Sequence, residues 1–271
     1  MWAGGPRGNT KTHHRGPRSV GSSGVRHDRK KYGMESELLR PYDGRVAAAR
    51  RLLQTHPDIL DLLGARIEPT LLERFLIEFS ARGVQMAEPA ERWRRAAGEK
   101  CIELGFDAIG RSLVARSKDE PHQHRTLIAD THALVARWNE RRSPVLSADE
   151  LLARSPTPAM RDYARLHEET VEGAMPYGQI AVEFEIERVS TTFGPKLVAQ
   201  CRRVLDPSTI VGLSFIQQHM ALDVGHAARN RKMLERLVNL RPDAAEKLGA
   251  IGSRALRIYA NFWSECVRAA R

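Results

Sequence analysis

Cysteine is scarce in this chain: Cys101, Cys201 and Cys266 are three in number, far apart and without CxxC spacing. An odd, scattered set excludes a disulfide framework and a zinc-thiolate site, and it fits a reducing cytoplasm. Long apolar runs are missing too. None approaches the ~18 residues that a membrane span needs, and the N-terminal region lacks the apolar core of about 7 to 15 residues that marks a secretion signal. There is no GxGxxG or GxxxxGK[ST] phosphate loop and no repeat period, which removes the common dinucleotide-binding, P-loop and solenoid readings. β-patterning is confined to Ile186 to Phe193, inside a longer helical pattern.

Acidic residues are nearly absent from the first 33 positions. Eight Lys/Arg stand there against Asp28 alone, so this stretch carries +7 of the formal +10 and the remaining 238 residues only +3. A protein that binds nucleic acid keeps its basic excess on the folded body, and here the body is nearly balanced, so no nucleic-acid partner is expected and no membrane partner either. Residues 1–33, rich in Gly, Ser, Arg and His, cannot bury enough surface to offset chain entropy. We expect a disordered basic tail at 1–33 and one folded domain over 34–271. The change in composition also makes Met34 a candidate translation start.

What is present in abundance is helical periodicity. Apolar residues recur at 3.6-residue spacing over 44–54, 70–83, 89–116, 122–141, 158–172, 177–205, 208–238 and 243–269, with a loop over 143–157 that holds one short helical turn at most. The sixth of these is expected to kink at Gly194-Pro195. The fold class is therefore all-α, a single bundle of about seven to eight helices.

On the seventh helix, His219, Asp223 and His226 stand at i, i+4 and i+7. At 3.6 residues per turn these steps rotate by roughly 40° and back by roughly 60°, so all three side chains leave one stripe. Two imidazoles and a carboxylate suit iron or manganese before calcium, which prefers oxygen ligands. A single helix leaves a metal half-ligated, so other segments must contribute. Glu183 and Glu187 share a helical face and Glu185 points away. Near the start of the fourth helix, Glu120 and His124 are i, i+4 around Pro121, with His122 and His132 as further histidines.

In this order, a Glu/His pair, a lone Glu and then His219-x-x-x-Asp223-x-x-His226, the chain resembles the haem-oxygenase-like diiron oxidase and oxygenase superfamily. The last motif matches residue by residue. The lone Glu maps to Glu187, 32 residues before His219 and followed by Arg188-Val189-Ser190-Thr191-Thr192-Phe193-Gly194-Pro195. The first pair maps to Glu120 and His124, although family pairs read ExxH or Ex₆H and this one reads ExxxH, so His122 and His132 remain open as substitutes. The resemblance implies a haem-oxygenase-like bundle whose metal ligands are Glu120, His124, Glu187, His219, Asp223 and His226. It further implies two irons per chain, or iron with manganese, that activate O₂ in a cytoplasmic oxidoreductase. The substrate would be a small amine, amino-acid or fatty-acid-like molecule, in the setting of specialised metabolism. An external electron donor and a homodimer are compatible with this reading. Two alternatives stand beside it: a metal-free, haem-binding or thiaminase-like relative on the same fold, for which Cys201 is the candidate nucleophile, and a helical interaction protein without chemistry.

Overall fold

A computed structural model describes residues 37–118, 123–207 and 212–271. The expected basic tail and the candidate start at Met34 lie outside the described residues. Among those described there are eleven α-helices and no strand. In chain order they are α1 (Arg40–Gln54), α2 (Pro57–Leu63), α3 (Pro69–Ala87), α4 (Ala90–Glu103), α5 (Asp107–Arg116), α6 (Gln123–Arg141), α7 (Ala148–Leu152), α8 (Pro158–Glu172), α9 (Gln179–Val204), α10 (Ser214–Leu240) and α11 (Ala245–Ala270).

The long helix α11 runs through the middle, buried on most sides by α1, α3, α8 and α9. Tyr42, Val46, Ala49 and Leu53 of α1, one turn apart, are buried toward it. Gly249 lets the two backbones approach: a Cβ there would stand 2.8 Å from the Tyr42 carbonyl oxygen. Phe75 and Phe79 of α3 pack tilted and edge-on against Phe262 and Trp263 of α11, with ring centroids 5.4 to 5.9 Å apart. α9 and α10 pair along their length, and Pro195 is accommodated inside a helical run unbroken from Gln179 to Val204.

Two differences from the sequence expectations matter for the site. The segment 89–116 is two helices, not one. The chain reverses between α4 and α5 at Gly105, whose φ of +81° is the left-handed conformation that glycine adopts without a Cβ penalty. The two helices are antiparallel neighbours that approach at Gly98 and Gly110, where a Cβ on Gly98 would meet the Gly110 carbonyl oxygen at 2.7 Å. This reversal carries Arg116, at the end of α5, back beside Arg94 of α4.

Glu185 is the second difference. It faces away from Glu187, as its position on the helix requires, but the opposite face of α9 is not solvent. Its carboxylate is fully buried and accepts hydrogen bonds from the Tyr42 hydroxyl at 2.8 Å and from Arg50 Nε and Nη2 at 3.0 and 2.6 Å.

Candidate metal centre

Three helices meet at a second buried polar cluster, apart from the one around Glu185. α9 supplies Glu183 and Glu187, one turn apart; α10 supplies Asp223, His226 and Asn230; α5 supplies Arg116. One donor atom each from Glu187, Asp223 and His226 lies within 4.8 Å of the other two, and all three residues are buried. His226 Nδ1 is 3.5 Å from Asp223 Oδ1. Asn230, one turn beyond His226, donates from Nδ2 to Glu187 Oε2 at 2.8 Å and so fixes the carboxylate rotamer.

On its other side Glu187 pairs with Arg116, which also reaches Glu183 with Nη1 at 2.9 Å from Oε2. Arg94 Nε approaches Glu183 Oε1 at 3.2 Å, and Gln179 Nε2 donates to the same oxygen at 3.0 Å. Gln179 in turn accepts from His167 Nδ1 at 2.8 Å, and the His167 ring stacks on Trp93 at 4.2 Å. A continuous chain of polar groups thus runs from His167 through Gln179, Glu183 and Arg116 to the Glu187 end of the cluster.

The two glutamates sit in different fields. Burial raises the Glu183 carboxyl, but Arg116 and Arg94 outweigh it and hold the group below the ordinary range. Burial pushes Glu187 up to about 8, against Arg116, and the negative charges of Glu183 and Asp223 add to the rise. A cation among Glu187, Asp223 and His226 would replace that proton.

His167 offers a test of the polar chain. Burial lowers its imidazole from 6.5 to about 4. Above pH 6.5 it is neutral folded and unfolded; between that value and about 4 only the unfolded state takes the proton, so stability is lost as pH falls through this window. We expect the thermal midpoint to drop from pH 6.5 to 5, and His167→Phe to flatten that limb. An unchanged slope in the variant would place the acid sensitivity elsewhere.

The cluster forms one wall of a cavity of roughly 160 Å³. Its lining includes the polar Arg116, Glu187, His219 and Asp223 and the aromatic Phe79, Phe193, Phe262 and Trp263. His219 lines this cavity but falls outside the three-donor cluster. Its Nδ1 is 2.9 Å from the Phe215 carbonyl oxygen. A carbonyl can only accept, so Nδ1 carries the proton and the lone pair resides on Nε2, the nitrogen left for a ligand.

The remaining expected ligands are placed as follows. Glu120 and His122 lie outside the described residues. His124 is half-buried on α6, and it is its neighbour Gln123, with Leu127, that lines the cavity. His132 is half-exposed, with Nε2 3.7 Å from Asp149 Oδ1. Phe215 lines the cavity, whereas Phe184 packs on Tyr42, with ring centroids 6.3 Å apart, and Leu222 is 46% exposed. Arg116, Arg94, Asn230 and Gln179 do not stand out in the sequence. The one hint was the pair Glu183 and Glu187: two acids on one face amid apolar residues need buried countercharge.

One imidazole and two carboxylates, all buried and convergent, fit a single first-row transition-metal ion. The described residues do not assemble a comparable donor set for a second.

The architecture has a solved counterpart. A crystal structure described as a domain of unknown function with a heme oxygenase-like fold, from Shewanella denitrificans OS217, matches with a TM-score of 0.65 at 14% identity, over 87% of this chain and 94% of that one. The chain therefore has a haem-oxygenase-like fold, and likeness at that identity concerns the fold alone. No family model and no curated protein matches the sequence. Among the described residues no helix is long and apolar enough to cross a membrane.

Proposed function

We propose that this protein is a non-haem iron oxidase or oxygenase that uses O₂ to oxidise a small, largely apolar amine, amino-acid or fatty-acid-like molecule. The observation that carries the reading is the convergence of Glu187, Asp223 and His226 at the wall of a cavity that is also lined by Phe79, Phe193, Phe262 and Trp263. Apolar packing alone would hold such a bundle, and bringing two buried carboxylates and an imidazole together is costly unless charge is balanced among them.

Iron held there supplies O₂ activation and one-electron chemistry. The chain's own groups do the rest. Asn230 and Arg116 hold Glu187 in place from two sides. The phenols of Tyr163 and Tyr259, both lining the cavity, stay protonated because burial raises their pKa values. Phe79, Phe262 and Trp263 exclude water and seat the apolar part of a substrate. The hydrolase alternative has little support: Cys201 is buried, and burial pushes its thiol up to about 12, so the thiolate that such chemistry needs is not formed.

The test is oxygen uptake by anaerobically Fe(II)-loaded protein offered amines, amino acids and medium-chain fatty acids in turn. Uptake stimulated by one of these classes over the substrate-free rate is the expected result. Iron-loaded protein that consumes no oxygen with any of them would sink the oxidase reading and leave the fold untouched.

A further inference from the structure

We propose that Arg116 fills the place of a second cation, so that the centre holds one divalent metal ion per chain instead of the two implied by the resemblance. The inference rests on the metal-dependent reading above and concerns how many ions the buried acids accept.

Arg116 is 3% exposed and its guanidinium spans two carboxylates, Nη1 on Glu183 and Nη2 on Glu187. A planar fork that never loses its proton is suited to bridging two acids from a fixed distance. Its backbone is equally constrained, because α5 is docked to α4 through the Gly98 and Gly110 approach and ends at Arg116. Withdrawal of the side chain would leave Glu183 and Glu187, 8% and 6% exposed, without the cation they share.

Charge points the same way. Glu183, Glu187 and Asp223 are three buried acids, and Arg94 and Arg116 are two cations paired within the same network. With Glu187 giving up its proton to the metal, this set of five groups carries one net negative charge. One divalent ion brings it to one net positive charge. Two would bring it to three, and uncompensated charge among buried groups is expensive. Among the described residues donor convergence agrees: Glu187, Asp223 and His226 come together, whereas Glu183 stands outside that group and faces Arg116, Arg94 and Gln179.

The experiment is equilibrium dialysis of the full chain against Mn²⁺, and anaerobically against Fe²⁺, with metal counted by mass spectrometry and Mn²⁺ read by electron paramagnetic resonance. Wild-type protein is expected to retain one tight equivalent with the six-line spectrum of an isolated ion. Arg116→Gln is expected to take up a second equivalent between Glu183 and Glu187 and to show the broadened multiline signal of two coupled ions. Two tight equivalents in the wild type, with a coupled spectrum, would overturn the inference and leave the functional reading standing. No retained metal would overturn the functional reading and this inference with it. A folded Arg116→Gln protein that still stops at one ion would show that Arg116 is not what excludes the second. Should that variant fail to fold by circular dichroism, the wild-type count and spectrum still decide between one ion and two.

Discussion

His226→Ala and Asp223→Ala are each expected to weaken retention of the metal by about 100-fold or more, while leaving the bundle folded. The magnitude follows from removing a direct ligand, since loss of an outer-shell partner alone costs about 10- to 100-fold. Glu187→Ala should behave the same way, and Asn230→Ala should fall in that lower range because Asn230 acts on the metal only through the Glu187 carboxylate. The fold should survive because α10 is held by Ile216, Met233, Leu234, Leu237 and Val238, all buried, and not by its polar stripe. His219→Ala separates geometry from pattern. A smaller loss than for His226→Ala is expected, since His219 lies outside the cluster of converging donors. His132→Ala, half-exposed beside Asp149, should leave metal content unchanged. Metal analysis after gel filtration, with circular dichroism as the control for folding, reads all six variants. Wild-type metal in both His226→Ala and Asp223→Ala would remove the centre from this protein.

The second large effect concerns Glu185, which has no part in the centre. Glu185→Ala is expected to destabilise the protein by about 3–5 kcal/mol, the usual cost of deleting one member of a buried ion pair. Its side chain is 1% exposed and is the shared acceptor for the Tyr42 hydroxyl and two Arg50 nitrogens. Without it the Arg50 guanidinium keeps only Asp43, at 2.8 Å, among these acids, and the Tyr42 hydroxyl loses its acceptor. For a chain of this size that loss corresponds to a fall of about 10 °C in the thermal midpoint. Glu185→Gln, which preserves shape and one acceptor oxygen, should lose less. Metal content should be the same as wild type in the folded fraction of both. A midpoint within 2 °C of wild type for Glu185→Ala, roughly what a neutral surface change gives, would show that the α1–α9 network contributes little.

These two predictions also mark where sequence reasoning reaches and where it stops. Period alone located α1, α3, α6, α8, α9, α10 and α11, because each buries an apolar stripe repeated every three to four residues. It also put Glu187 and Glu185 on opposite faces. The same rule could not see the turn at Gly105, since Trp93, Ala97 and Cys101 before it and Ile109 and Leu113 after it keep one helical register across a reversal of direction. Nor could it tell that the face bearing Glu185 is covered by α1, or that Leu222 and Val224 are open to solvent at 46% and 55% exposure. An apolar residue type states a preference, and burial depends on what a distant segment lays on top of it.

The sequence by itself determined that this chain is an all-α bundle and that Asp223 and His226 leave α10 on one stripe, because backbone periodicity is local and needs no knowledge of neighbours. The family resemblance pointed to Glu187, but only the tertiary structure decided which acids meet them. Glu187 joins the cluster because α9 pairs with α10, His219 stands off along the cavity wall, and Arg116 arrives from a helix turned back at Gly105. Convergence of charges from separate helices is set by packing across long sequence separations, and a pattern confined to one helix carries no record of it.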